Sequence, residues 1–220
     1  MPRTCWTASK VIALGTGGTL YGNPDLDPER NLFFEAGLHY TGDRLRGSAA
    51  FFVNLVDDLI VAMPTGVLQD ERMENVSQAE LTGFELEGEW RFAPLWSAYG
   101  TLAYVEGRDK TNDEYLRFTP PLNGLLGVRY DHGTGLWGAL ELDWAAHQGH
   151  TPKGVADGES WASLNARVGY RFTVGATHQE VVLAAENLAN ADYTNYLSTS
   201  RGIALSEPGL NATASWRVEF

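Results

Sequence analysis

Two histidines three residues apart, His147 and His150 in the stretch HQGH, are the side chains that most directly suggest chemistry. Imidazole combined with carboxylate suits a transition metal, and Asp157 and Glu159 follow in the same polar stretch. The segment reads as extended, however, and a spacing of three there points the two side chains to opposite faces. A metal site is therefore not expected at the pair. A second stretch, GRDKTNDEYLRF, gathers Asp109, Asp113 and Glu114. Ca²⁺ loops place carboxylates at fixed alternating positions, and that spacing is missing here, so a solvated acidic loop is expected. His147, His150, Asp109 and Asp113 remain as loop candidates for contact with a ligand.

Other catalytic arrangements are missing. The GTGG stretch at 15–18 lacks the strand–helix context of a phosphate cradle. No Ser/His/Asp set is evident, and the two loop histidines have no obvious nucleophile beside them. An outer-membrane hydrolase is the enzyme class these histidines would fit, and it would need that nucleophile. No enzyme activity and no cofactor are expected. A single cysteine, Cys5, excludes an internal disulfide framework and a cysteine-based zinc site. Lys and Arg number 16 against 28 Asp and Glu, a net charge of −12. That balance argues against a nucleic-acid partner, which requires a basic stripe, and against adsorption to lipid through a polybasic patch. The apolar patch VIAL near the N-terminus is shorter than a signal-peptide core, and no export signal is read there. No apolar run approaches the eighteen or so residues of a spanning helix. The mean hydropathy is slightly negative, but a transmembrane barrel is apolar on one face only and averages out as hydrophilic.

The elements that would position these residues are strands. In TGFELEGEWRF, Thr82, Phe84, Leu86, Trp90 and Phe92 fall on one face, and Glu85, Glu87, Glu89 and Arg91 on the other. LNGLLGVRYD sets Leu122, Leu126, Val128 and Tyr130 against Asn123, Arg129 and Asp131. GLWGALELDWAAH sets Leu136, Leu140, Leu142 and Trp144 against Glu141 and Asp143. WASLNARVGYRF sets Leu164, Val168, Tyr170 and Phe172 against Asn165, Arg167 and Arg171. Further alternating runs lie near 30–41, 45–61, 94–107, 179–198 and 209–220, nine strands in total. Short connections (TGDR, AP, DHGTG, VGATH) alternate with long polar ones (PTGVLQDER, GRDKTNDEY, GHTPKGVADGES, STSRGIALSEP). The expected fold is all-β: an antiparallel up-and-down transmembrane barrel with one tight end and one loop-rich end. A soluble sandwich also alternates, but its strands average about five or six residues, and several of these runs reach the ten or so that cross a bilayer. Aromatic pairs crowd the strand ends, at Phe92 and Trp96, Tyr130 and Trp137, Tyr170 and Phe172, and Trp216 and Phe220, as in the interfacial girdles of membrane barrels. Tyr193 and Tyr196 read as girdle residues too. Glu85, Glu87, Glu89, Arg91, Arg129, Glu141, Asp143, Arg167 and Arg171 would then line a wet lumen.

Nine is an odd number, whereas bacterial single-chain barrels have even ones, so the strands are expected to form only part of a barrel. The chain resembles the C-terminal part of the TonB-dependent receptor barrels. The resemblance rests on GNPDLDPER (22–30), AAFFVNLVDDLI (49–60), ENVSQAELTGFELEGEW (74–90), RFTPPLNGLLGVRY, AAENLANADYTNYL (184–197) and EPGLNATASWRVEF, in the family's order over about 21–220. Leu210 stands where the family often has Arg, and NLANADY lacks its common Phe. The resemblance implies a non-barrel or residual segment at 1–22 and barrel wall at 23–220. It implies an outer-membrane location in a Gram-negative bacterium and energised uptake of a scarce ligand, an iron chelate such as a ferric siderophore or haem before a vitamin or glycan. Its partners would be outer-membrane lipid, the TonB complex through a plug domain missing from these residues, and the barrel-assembly machinery. The last would read the terminal strand ending on Trp216, Val218 and Phe220. On this reading the 220 residues are not functional alone; a passive porin or another barrel is the alternative.

Overall fold

The computed structural model describes residues 11–13, 18–67, 69–201 and 205–220. Cys5 and Gly15–Gly17 lie outside the described residues. The elements in chain order are β1 (Val11–Ala13), β2 (Thr19–Tyr21), β3 (Arg30–Thr41), β4 (Leu45–Pro64), β5 (Glu71–Ala93), β6 (Trp96–Asp109) and β7 (Glu114–Tyr115). They continue with β8 (Asn123–Asp131), β9 (Leu136–Ala145), β10 (Trp161–Val174), β11 (Thr177–Glu186), a 3₁₀ turn (Tyr196–Arg201) and β12 (Asn211–Glu219).

Nine of these strands make an antiparallel meander in the order β3-β4-β5-β6-β8-β9-β10-β11-β12, each paired with its sequence neighbour in the wall. A continuous single sheet of this kind replaces the soluble sandwich as an architecture. The connections 42–44, 94–95, 132–135 and 175–176 are tight and lie at one end. Gly133 and Gly135 take φ of +84° and +97° in one of these turns, a region that L side chains rarely adopt. The connections 65–70, 110–122, 146–160 and 187–210 form the other, loop-rich end. There β1 and β2 form a small hairpin, and β2 lies parallel to the start of β5. Among the described residues β3 and β12 do not pair with each other, so the sheet stays open as a partial barrel.

Register places apolar side chains in rows across one face. Phe51, Phe84 and Tyr104 are successive partners, as are Leu126, Leu142 and Leu164, and Leu183 and Ala214. The large apolar side chains on this face are not packed into a core: Leu126 is 60% and Trp216 68% exposed. Most of the buried side chains are polar, among them Glu141, Ser163, Gln148 and Asn187, and the apolar ones are few. A protein with its apolar surface outside and its polar groups enclosed is built for a hydrocarbon solvent.

Two strand boundaries and one face assignment differ from the sequence reading. β5 begins at Glu71, not near 82. The run read as strand over 179–198 is strand only to Glu186. Asn187 and Asn190 then take φ of +52° and +49°, a region asparagine tolerates better than most residues. The Asn187 amide also holds Ala191 and Pro208 through their backbone oxygens, at 2.8 and 3.1 Å. Trp137, read as a girdle residue, lies on the opposite face, because its register partners are Asp131 and Gly169. The girdle at the tight end is instead a chain of rings, Trp90, Phe92, Trp96 and Tyr130, with successive centroids 5.7, 6.4 and 5.2 Å apart.

Candidate functional site

Strand parity brings the charged residues together. Glu85, Glu87 and Glu89 of β5 sit opposite Ala103, Thr101 and Tyr99 of β6. Arg129 of β8 sits opposite Ser97 and Ala139, and Glu141 of β9 opposite Gly127 and Asn165. Arg167 and Arg171 of β10 continue the same face. This face borders an open cavity of about 950 Å³ toward the tight end, lined in part by Glu87, Glu89, Arg91, Tyr99, Arg129 and Glu141. A second, of about 690 Å³ toward the loops, is lined in part by Asp143, Trp161, Asn165, Arg167, Glu186 and Tyr193.

The charges on this wall are mostly paired with one another. Arg46 bonds Glu89, and the Ser48 hydroxyl donates to Glu87 over 3.0 Å. In the middle of the wall, Glu141 accepts from the Tyr99 hydroxyl (2.6 Å) and from Arg167. The Asn165 amide donates to Asp143 over 2.7 Å. Nearer the tight turns, Asp131 accepts from Arg129 (3.0 Å) and Arg171 (2.8 Å). Arg171 also reaches Glu180 at 3.0 Å, and the Trp137 indole N–H donates to the same carboxylate at 2.9 Å. Both guanidiniums lie 5.4 Å from the Trp137 ring centroid, within cation–π range. Two glycines seat the aromatic rings on the wall. A Cβ on Gly127 would come within 2.4 Å of the Tyr99 ring, and one on Gly169 within 2.4 Å of Trp137. Glu85 and Arg91 face the same space without a side-chain partner among the described residues.

The loop candidates are dispersed. His147 approaches Asp157 at 3.5 Å, whereas His150 stacks flat on Tyr115 with centroids 4.6 Å apart. Gln148, between them, is buried and donates to the Thr119 carbonyl. Asp109 accepts from the backbone of Thr111 and Asn112 and from the Asn112 amide, shaping its own turn. Asp113 is almost fully exposed and leans on Arg108 at 3.4 Å. No three His, Cys, Asp or Glu side chains converge on a metal position among the described residues. Tyr196, read as a girdle residue, is buried among the loops, and that burial pushes its phenol up. Tyr193, read likewise, stacks on Trp161 with centroids 4.5 Å apart, on the cavity side. Tyr99, Trp137 and Trp161 are wall residues that the sequence reading missed. Their signal was parity, since Trp137 and Trp161 share the odd-numbered face of Glu141 and Asn165. At the end of β12, Trp216 and Val218 point outward beside Val181 and Gln179, and Phe220 is fully exposed.

The description TonB dependent receptor-like, beta-barrel, fits residues 6–188 as a family model. The chain belongs to that family. As a TonB-dependent receptor barrel it is an outer-membrane wall of a Gram-negative bacterium. The pesticin receptor of Yersinia enterocolitica serotype O:8 is 24% identical over 212 residues, which cover 87% of this chain and 29% of that protein. Among solved structures, the copper transporter OprC superposes with a TM-score of 0.77 at 23% identity, over 87% of this chain and 31% of that one. The ferric enterobactin receptor PfeA of Pseudomonas aeruginosa superposes with a TM-score of 0.69 at 17% identity, over 90% and 32%. The TonB-dependent barrel described here thus spans less than a third of each of these relatives.

Proposed function

We propose that this chain is the C-terminal wall of an outer-membrane receptor that takes up a scarce metal chelate, a ferric siderophore or haem, using energy delivered by the TonB complex. Residues 23–220 supply wall and external loops. The observation that carries the reading is the family match over 6–188, on a sheet whose cavity face is lined with charged side chains. Glu85, Glu87, Glu89, Arg91, Arg129, Glu141, Asp143, Arg167 and Arg171 line the lumen and pack against a plug. The external loops around His147, His150, Asp109 and Asp113 meet the ligand first. No bond is made or broken on this route: the receptor is a transporter and not an enzyme. The barrel-assembly machinery recognises the terminal strand through Trp216, Val218 and Phe220.

The test is growth of an iron-starved Gram-negative host lacking its own siderophore receptors and expressing the whole protein, supplied with single iron chelates or haem. Growth that disappears when TonB is deleted supports the reading. Uptake that persists without TonB would mean a passive porin.

A further inference from the structure

At the loop-side edge of the apolar band, on the side of the sheet turned away from the cavity, the β9–β10 loop folds back against β6. The Tyr104 hydroxyl lies 3.1 Å from Glu106 Oε2 and 3.3 Å from His150 Nδ1. That nitrogen lies 3.5 Å from the same carboxylate oxygen. Three donor atoms from three side chains therefore form a nearly equilateral triangle. Nitrogen and oxygen donors bind a transition ion at about 2.0–2.2 Å, which holds neighbouring donors about 3.0–3.5 Å apart in tetrahedral or octahedral geometry. We propose that Tyr104, Glu106 and His150 form a three-donor site for a first-row transition-metal ion, its remaining positions open to water. The site would clip the β9–β10 loop to β6.

Outside the triangle, Glu106 and His150 are held through other atoms than their donor atoms. Arg108 takes the other oxygen of Glu106, Oε1, at 3.2 Å, so Oε2 is left as a single-oxygen donor. The Arg108 guanidinium is itself placed over the Tyr115 ring at 4.1 Å, and it donates to the Tyr115 hydroxyl at 3.0 Å. Its charge is partly offset by Asp113 at 3.4 Å. The His150 ring lies within 3° of parallel to Tyr115, which fixes the plane in which Nδ1 lies. Its backbone N–H donates to Gln148 Oε1 at 3.0 Å, and Gln148 is anchored at Thr119. Support of this kind around the donors is what orients metal ligands. Imidazole with oxygen donors suits copper, zinc, iron or nickel. The His150 and Glu106 side chains are 47% and 31% exposed, so an ion reaches them from the external medium. Without metal, the phenol proton serves the hydrogen bond to Glu106. Binding the ion would displace that proton.

Cu²⁺ is the probe, as the tightest binder of the divalent series. The whole protein in detergent is titrated with Cu²⁺ and followed by electron paramagnetic resonance. The variants are Tyr104→Phe, Glu106→Gln, His150→Gln and, as a control, His147→Gln. One saturable site is expected, with coupling to a single nitrogen. Each of the first three substitutions should weaken it about tenfold or more, and His147→Gln should leave it unchanged. Tyr104→Phe keeps the ring against Phe84 (centroids 5.9 Å) and Glu106→Gln keeps the side-chain shape, so both should fold, as circular dichroism would verify. Full affinity in those two variants, loss only in His150→Gln, or no saturable site in the folded parent would each overturn the proposal.

Discussion

On the cavity wall, aromatic rings and glycines work as pairs. The Tyr99 ring covers Gly127, where a Cβ would meet ring carbons and the hydroxyl at 2.4–2.8 Å. Gly127→Ala would push the ring aside and break its hydrogen bond to Glu141, beyond the strain of overpacking itself. We expect a loss of about 1–3 kcal/mol, measured by urea unfolding in detergent. Tyr99→Phe removes only the hydrogen bond and should cost about 1 kcal/mol. Because both act on one ring, Gly127→Ala in the Tyr99→Phe background should be less damaging than in the parent. Equal costs in the two backgrounds would remove Glu141 from the explanation. Residue chemistry of this kind was only half legible in the sequence. Parity assigned Glu141 and Arg167 to one face, but not the Tyr99–Glu141–Arg167 contact, which joins three strands. His150 shows the same limit, since its neighbours Tyr104 and Glu106 lie some 45 positions away and nothing local announces them.

Alternation was legible in strands wherever one face meets hydrocarbon and the other water, because the two solvents impose opposite residue types on alternate positions. It failed where both faces meet water. The stretch from Glu71 to Leu81 is strand, yet its residues ERMENVSQAEL are mostly polar on both faces. Its hydrogen-bonded ladder with β4 continues from Pro64–Glu71 to Asn54–Leu81, so backbone pairing carries the strand where hydrophobic patterning stops. The opposite failure, reading strand beyond Glu186, came from the mixed sequence ENLANADY, in which Asn187 and Asn190 turn the chain through positive φ. The two solvents also yield a test one residue wide. Leu126 belongs to the outward row with Leu142, while neighbouring Leu125 sits opposite Asp143 and lines the 690 Å³ cavity. Leu126→Lys should destabilise the folded barrel by about 2–4 kcal/mol, the cost of a cation near the bilayer midplane. Leu125→Lys should cost far less, because its ammonium lies among Asp143 and water. Outer-membrane level and unfolding in lipid would both read the difference. Equal damage from the two substitutions would mean that the faces are assigned wrongly.

The whole molecule raises the matter of its two edges. β3 runs from the loop-rich end to the turn at 42–44, and β12 also runs from the loops toward the tight end, where Glu219 pairs with His178. The two free edges therefore point the same way. Closing this sheet on itself, or ringing it head to tail with a second copy, would need a parallel pair in a wall whose other pairs are all antiparallel. Unpaired backbone groups cannot be left in hydrocarbon, so each edge must take an antiparallel partner, and strands running toward the loops must stand between β12 and β3. This gives a geometric prediction independent of any ligand. A disulfide needs Cα atoms within about 7 Å. Cysteines placed centrally on the two edges, as Gly37→Cys or Glu35→Cys with Ser215→Cys in a Cys5→Ser background, should therefore not cross-link in the folded whole protein, within one molecule or between two. Oxidised samples should migrate like reduced ones on denaturing gels, while a control pair across β11 and β12 (Val182→Cys with Ser215→Cys, register partners) should close. A bond between the β3 and β12 cysteines would show that the edges meet directly, and the additional strands would then be unnecessary.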